Sequence, residues 1–234
     1  MTDKTHAGDK MMIVGLTGGI ATGKSTTAEM IRAAGIPVHD ADATVHQLMV
    51  PGGAAIAPIT AMFGSDMVAE DGSVDRQKLG GVVFGDPDKR RALEAIIHPL
   101  VTAHRDRFLE DQRQKNTAMI VLDVPLLFET GGDAACDFVI LCYADDQTQR
   151  SRGLARTGMT EDKWTAILAS QMPMSEKRGR ADAVIETQHG LEPARQQLAA
   201  ILEQLRADPG LPANTSAGAA HKGTGPNGDG GTDI

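Results

Sequence analysis

The sequence predicts an α/β fold in which a parallel sheet is flanked by helices. Short apolar runs typical of buried strands alternate along the 234-residue chain with longer segments of helical character. The first apolar run begins at Met11 and passes directly into a glycine-rich loop and then into residues that favour a helix. This order opens a parallel α/β sheet, in which functional side chains gather at the carboxyl ends of the strands.

The glycine-rich loop has the spacing of a nucleotide-binding phosphate loop, Gly18-x-x-x-x-Gly23-Lys24-Ser25. Glycine permits close approaches, so that successive backbone N–H groups can turn toward a polyphosphate at the positive end of the following helix. We expect Lys24 to reach the β and γ phosphates of a nucleoside triphosphate, and the Ser25 hydroxyl to bind Mg²⁺. The motif and its context predict a core of the P-loop NTPase type.

Two aspartates follow the second predicted strand. The helix after the loop is predicted over residues 26–34 and ends at Gly35, and a short strand over 36–38 leads to Asp40 and Asp42. Asp42 lies where an acceptor hydroxyl would approach the γ-phosphate, and its carboxylate could accept or orient the hydroxyl proton. The same residue could cap the next helix, since aspartate is a favoured N-cap residue, and the two roles are compatible.

The remaining sequence can be divided by its composition into further strands, helical segments and two polar ends. Further strands are predicted over 118–122, 138–143 and 183–185, with a closing amphipathic helix over 192–206. One domain is expected over residues 11–206, and its parts are a core (11–50 and 117–206), a helical insertion broken by glycines (about 51–116) and a lid (about 146–182). Residues 1–10 are expected to be flexible and residues 207–234 to be a disordered tail, since both lack large apolar runs.

Composition also limits the classes of partner that the protein is expected to bind. The net charge of -8 argues against wide contact with nucleic acid, and no apolar run approaches the length of a membrane span. Cys136 and Cys142 stand an even number of positions apart, which predicts reduced thiols on one strand face. We expect a cytoplasmic protein that acts on a small molecule, without nucleic-acid or membrane partners. The oligomeric state stays open.

Two arginines favour phosphoryl transfer over a nucleotide switch. Arg152 and Arg156 stand four apart in a polar segment after the fourth strand, which predicts that they share one face of a helical lid. Arginines placed there stabilise the charge of a transferring phosphate. The alternative is an ordinary solvated helix face. The chain has no Asn-Lys-x-Asp guanine signature.

Six motifs in chain order extend this interpretation over about residues 12–190: Gly23-Lys24-Ser25-Thr26; Asp40-Ala41-Asp42; Ile97-His98-Pro99; Asp123-x-Pro125-Leu126-Leu127-Phe128-Glu129; Gln149-x-x-Arg152-x-x-x-Arg156; Gln171 with Lys177 and Ala181-Asp182. In these motifs the chain resembles the dephospho-coenzyme A kinases, which phosphorylate the ribose 3′-hydroxyl of dephospho-CoA with ATP. A phosphate loop is common to many NTPases, whereas Asp-Ala-Asp together with Pro-Leu-Leu-Phe-Glu is specific to this family.

The resemblance implies a nucleotide-binding core, a helical region that receives the coenzyme, and a lid. It implies Asp42 as the catalytic base and Lys24 and Arg152 as groups that stabilise the transferred phosphoryl, with Arg156 as the second lid arginine. Residues implied around the ATP phosphates are Ala21, Thr22, Gly23, Lys24, Ser25 and Thr26. Residues implied near the acceptor substrate are Asp40, Asp42, His98, Asp123, Gln171 and Lys177. The alternatives are a place near Mg²⁺ for Asp123 and a structural role in the helical region for His98.

Two positions depart from the family pattern. The family often has Gly-Ser where this chain has Ala21-Thr22, and the phosphate cradle should survive if Ala21 has negative φ. Gly153 interrupts the lid between its arginines, which costs about 1 kcal/mol of helix propensity and is expected to loosen the helix.

Two alternatives stay open at the level of sequence. A kinase for another nucleoside, nucleotide or small alcohol would carry a similar loop and lid. A regulator that binds a nucleotide without turnover is the alternative from a different class.

Overall fold

The computed structural model describes residues 11–208. The strands are β1 (Met12–Gly18), β2 (Val38–Asp40), β3 (Met119–Asp123), β4 (Phe138–Tyr143) and β5 (Ala183–Glu186). The α-helices are α1 (Lys24–Ala33), α2 (Ala41–Leu48), α3 (Ile56–Phe63), α4 (Arg76–Val83), α5 (Pro87–Gln114), α6 (Asp146–Leu154), α7 (Glu161–Ala169), α8 (Met174–Arg180) and α9 (Leu191–Ala207). The segment predicted to be flexible, 1–10, and the tail after residue 208 lie outside the described residues.

The strands form one parallel sheet in the order β2-β3-β1-β4-β5, which confirms the predicted α/β class. Asp123, at the end of β3, pairs in register with Leu16 of β1 on one side and with Asp40 of β2 on the other. The carboxyl ends of these three strands therefore meet at one edge of the sheet. The phosphate loop leaves β1 at the same edge.

Helices cover both faces of the sheet. On one face, α1 and α9 contribute Ile31, Leu198 and Leu202 to a core shared with alternate residues of the central strands, such as Leu16 and Ile140. On the other face, α5 packs Leu109 against β3, and the chain between β3 and β4 adds further apolar side chains. Burial on both faces explains why the central strands read as continuous apolar runs.

The two cysteines lie on opposite sides of this sheet, so the prediction of one shared face is wrong. Cys142 packs in the core under α1 and α9, whereas Cys136 precedes β4 and packs on the other face beside Val139. Both thiols are free, as expected, and burial raises the pKa of each to about 12. They are therefore protonated packing groups at neutral pH.

Two predicted boundaries differ from the structure. The second strand begins at Val38 and not at residue 36, because pairing with β3 starts only where Val38 meets Val121. The expected glycine break at residues 80–81 is wrong, since α4 continues through both glycines. Asp75 caps this helix by accepting a hydrogen bond from the Lys78 N–H at 2.9 Å, and packing of its buried face outweighs the low propensity of glycine.

Residues 51–116 fold as helices around an apolar core of their own, which includes Ile59, Leu79 and Ile97. A histidine pair joins this region to the sheet, since Nε2 of His39 lies 3.1 Å from Nδ1 of His104 on α5. The division into a core, a substrate region and a lid stays a prediction. No helix within residues 11–208 is long and apolar enough to cross a membrane.

Gly153 has a packing role near the end of the lid helix, and the expected loosening of that helix stays a prediction. Helix α6 continues through Gly153, and a Cβ atom at that position would lie 2.0 Å from Cζ3 of Trp164 on α7. The indole of Trp164 is buried in this contact. The absence of a side chain at Gly153 thus allows α6 and α7 to pack closely.

Replacing Gly153 with alanine should separate α6 from α7 and destabilise the fold by about 1–3 kcal/mol, because the added methyl group overpacks the contact. Trp164 is the only tryptophan of the chain, so a shift of its emission reports this contact directly. In the matched control Gly179→Ala, on α8, the new Cβ meets no atom within 4 Å, and helix propensity should raise stability by about 0.5–1 kcal/mol. Equal stability of the two variants in urea would contradict the packing argument.

His39 should make stability depend on pH. Burial, followed by repulsion from His104 and Arg105, lowers the pKa of His39 to about 4. The unfolded chain therefore takes up this proton below about pH 6.5 while the folded chain does not, so the stabilisation is complete above pH 6.5 and is lost as the pH falls toward 4.

Urea unfolding at pH 7.5 and pH 5.0 measures this effect. We expect wild type to lose about 1–2 kcal/mol more than His39→Asn over this interval. His46→Gln alters an exposed histidine on α2 and should keep the wild-type pH dependence. An unchanged pH dependence in His39→Asn would overturn the assignment.

Candidate active site

The first turn of α1 is open toward a cavity. Gly23 precedes the helix with φ of 86°, no side chain caps the helix, and its first turn carries no acidic residue. The first N–H groups of a helix have no partner within the helix and carry its positive dipole end, which suits an anion. The cavity has a volume of about 520 Å³, and it is lined by all six residues predicted to surround the ATP phosphates: Ala21, Thr22, Gly23, Lys24, Ser25 and Thr26.

Ala21 has φ of 61°, so the condition of a negative φ, under which the cradle was expected to survive, is not met. The loop turns through the left-handed region here, at a cost of about 1–2 kcal/mol for a residue with a Cβ atom. Thr22 holds the turn, since its hydroxyl donates to the Gly19 carbonyl at 2.9 Å and its side chain is buried. The cradle forms although alanine replaces the glycine common in such loops.

Lys24 is held at the loop by an aspartate. Its Nζ lies 2.5 Å from Oδ1 of Asp123, which is 2% exposed. Burial raises the pKa of the Asp123 carboxyl above its usual value, and the ammonium of Lys24 opposes that shift. Asp123 itself is absent from the cavity lining, so it acts on the cavity through Lys24.

The two aspartates after β2 have different surroundings. Asp40 caps α2, since its Oδ1 accepts a hydrogen bond from the Ala43 N–H at 2.9 Å and its Oδ2 pairs with Arg32 at 3.2 Å. Asp42 is the second residue of α2 and lines the cavity, so the capping role considered for it is wrong, because the helix already begins at Ala41 and its N-cap is Asp40. Its carboxylate is exposed, and within residues 11–208 it has no hydrogen-bond or ion-pair partner.

The two lid arginines both line the cavity, although they do not share a helix. Helix α6 ends at Leu154, so Arg156 lies in the turn beyond it, and the predicted common helix face is wrong. Arg152 donates two hydrogen bonds to Thr187, one to the hydroxyl at 2.9 Å and one to the carbonyl at 2.8 Å. Arg156 is exposed and makes no ion pair within the described part of the chain.

Two glutamines hold the loop at Ile20. The Ile20 N–H donates to Oε1 of Gln171 at 3.0 Å, and Nε2 of Gln149 donates to the Ile20 carbonyl at 2.8 Å. A Cβ atom on Gly19 would lie 2.8 Å from Nε2 of Gln149, so a side chain there would displace the end of the glutamine. Gln171 lines the cavity, as predicted, but its amide oxygen is engaged by the loop. Gln149 stands in the sequence motif of Arg152 and Arg156 but is not among the predicted site residues, because the spacing alone does not show that its amide reaches Ile20.

Four of the six residues predicted near the acceptor lie outside the cavity lining, and Lys177 and His98 are two of them. Lys177 is fully buried, with its Nζ 2.8 Å from Oε1 of Glu129 and 3.4 Å from the Pro125 carbonyl. Burial acts to raise the pKa of Glu129, but hydrogen bonds from Lys177 and from the backbone lower it overall. His98 is exposed on α5. Lys177 thus joins α8 to the segment after β3.

A parallel sheet of this order, a phosphate loop, and a carboxylate and two arginines around one cavity together define a P-loop kinase. The chain belongs to the dephospho-CoA kinase family, whose model matches residues 12–192.

Known proteins agree with this membership. A dephospho-CoA kinase of Mesorhizobium japonicum is 50% identical over 200 residues, which cover 86% of this chain and all of that protein. The crystal structure of TT1252 from Thermus thermophilus shares 34% identity with a TM-score of 0.70, over 83% of this chain and 98% of that one. A dephospho-CoA kinase from Campylobacter jejuni has the same fold at 22% identity, with a TM-score of 0.59 over 82% and 96% of the two chains.

Removing the Gln149 amide should loosen the phosphate loop and weaken ATP binding about 5- to 10-fold, the scale of one lost hydrogen bond. Calorimetric titration of Gln149→Ala with ATP measures the change. Gln147→Ala, on the exposed side of the same helix, is the matched control and should bind like wild type. Equal affinities of the two variants would mean that Ile20 needs no support from α6.

Proposed function

We propose that this protein is a dephospho-CoA kinase that transfers the γ-phosphoryl group of ATP to the ribose 3′-hydroxyl of dephospho-CoA. Family membership over residues 12–192 supports this function. The observation that carries it is the carboxylate of Asp42, which has no partner within residues 11–208 and lines the same cavity as the phosphate loop and two arginines. A bond forms between the 3′-oxygen and the γ-phosphorus while the bond to the bridging oxygen of ADP breaks.

Asp42 would take the proton of the acceptor hydroxyl as this bond forms and then release it to solvent. Its position in the first turn of α2, exposed and without a partner, leaves both carboxylate oxygens available. Among the six residues predicted near the acceptor, Asp42 and Gln171 line the cavity. We therefore assign the acceptor hydroxyl to Asp42, and positioning roles to Asp40 and Asp123.

Three cationic side chains would stabilise the charge of the transferred group. Lys24 lies in the loop beside the expected phosphates, and Arg152 and Arg156 approach the cavity from the lid segment. Fixed cationic donors aimed at the transferring phosphate stabilise the transition state more than the ground state. His98 and Lys177 lie outside this arrangement.

The proposal also includes Mg²⁺ as the metal ion of the reaction and the cytoplasm as the location of the protein. The exposed Ser25 hydroxyl, on the second residue of α1, fits a magnesium ligand beside the phosphates, where the ion would neutralise phosphate charge. Within residues 11–208 no group of three or more acidic, histidine or cysteine side chains could hold a metal, which fits an ion held mainly by the nucleotide. The free thiols support a reducing compartment.

Acceptor specificity tests the function. Purified protein is incubated with Mg-ATP and either dephospho-CoA, AMP or shikimate, and products are identified by mass spectrometry. We expect a gain of one phosphate on dephospho-CoA alone, because the family membership specifies that acceptor. Product from AMP or shikimate with none from dephospho-CoA would overturn the substrate, and ATP binding without any product would indicate a regulator.

Replacing Asp42 with asparagine should lower kcat about 10²- to 10⁴-fold, the usual contribution of a general base, while the affinity for ATP changes little. Asp75→Asn is the matched control, since Asp75 caps α4 outside the cavity lining, asparagine caps a helix as well as aspartate does, and activity should persist. Steady-state kinetics with both substrates measure the two variants. Wild-type kcat in Asp42→Asn would remove this residue from the mechanism.

A further inference from the structure

Thr187 occupies the point where three parts of the site meet. It follows β5 directly and begins a short 3-10 turn, Thr187–His189, and it is buried. Its hydroxyl lies 2.8 Å from the Thr22 carbonyl in the phosphate loop and 3.1 Å from the Tyr143 carbonyl at the end of β4. The residue therefore ties the ends of two strands to the loop.

The same residue receives the guanidinium of Arg152. Nη1 donates to the Thr187 hydroxyl at 2.9 Å, and Nη2 donates to the Thr187 carbonyl at 2.8 Å. A hydroxyl has one proton and two lone pairs, so it can donate to the loop carbonyl while it accepts from arginine. Two bonds to one residue fix both the position and the plane of the guanidinium.

The methyl group of Thr187 also packs against the loop. Its Cγ2 would lie 3.1 Å from a Cβ atom at Gly23, so the methyl packs against the glycine that precedes α1. Gly23 has positive φ and opens the helix N-terminus to the cavity. The methyl branch of Thr187 thus packs against the phosphate loop, and the hydroxyl branch binds both the loop and Arg152.

We propose that Thr187 is a positioning residue that holds Arg152 against the phosphate loop in the orientation needed for phosphoryl transfer. This inference rests on the proposed function of Arg152. Thr187 also lines the cavity, and in this proposal it acts through Arg152. Because the hydroxyl is anchored on the Thr22 carbonyl, the guanidinium moves with the loop and not only with the lid segment.

The test uses Thr187→Val, Thr187→Ser, Arg152→Ala and the Thr187→Val/Arg152→Ala double variant in the full chain. Thr187→Val should lower kcat about 10- to 100-fold, the scale of one lost hydrogen bond to a charged group, with both KM values nearly unchanged. Thr187→Ser keeps the hydroxyl and should restore most of the loss. The double variant should match Arg152→Ala alone, since Thr187 acts only through that arginine.

Thr117→Val is the matched control, because it removes a hydroxyl that donates to Gln112 at 2.9 Å between α5 and β3, away from the cavity. It should keep wild-type kcat. If Thr187→Val does not fold, Thr187→Ala gives the same readout. Wild-type kcat in Thr187→Val or Thr187→Ala, a rise in the KM for ATP in place of a fall in kcat, or multiplying losses in the double variant would each overturn the proposal. Wild-type kcat in Arg152→Ala would instead remove the arginine from the proposed mechanism.

Discussion

The open N-terminus of α1 is the feature on which the rest of the site depends. Helix N–H groups attract an anion only if no side chain caps them and the preceding loop turns away from the helix axis. The left-handed conformations of Ala21 and Gly23 produce that turn. Side-chain hydrogen bonds then hold it, from Thr22 within the loop and from Gln149 and Gln171 outside it. The energy that fixes the loop therefore comes from elements far along the chain.

Buried charge is arranged around this loop in pairs. Lys24 pairs with Asp123, the last residue of β3, and Lys177 pairs with Glu129 in the segment that follows β3. Removing one partner of such a pair leaves an unpaired buried charge and costs about 3–5 kcal/mol. The Lys24 pair faces the cavity, whereas the Lys177 pair is sealed from it. The Lys24–Asp123 pair therefore belongs to the site, whereas the Lys177–Glu129 pair attaches α8 to the segment after β3.

The parallel sheet and the phosphate loop could be predicted because each depends on local sequence. An apolar run, glycines and a helix former suffice for the loop, and its six cradle residues all line the cavity. The left-handed turn at Ala21 and the burial of Lys177 could not be predicted, because the loop is held by Gln149 and Gln171 and the lysine is bound by Glu129, all distant in the chain. Gly153 shows this most clearly, since the helix-breaking residue of the sequence is a packing site for Trp164 in the fold.

The phosphate loop as the nucleotide site is the central claim, and hydrogen–deuterium exchange with and without Mg-ATP tests it most directly. The backbone N–H groups of residues 21–26 should become strongly protected when the nucleotide binds, because they donate to the phosphates. Peptides of the sheet core, such as β4, should be unchanged. Binding of ATP with no added protection at the loop would contradict the account.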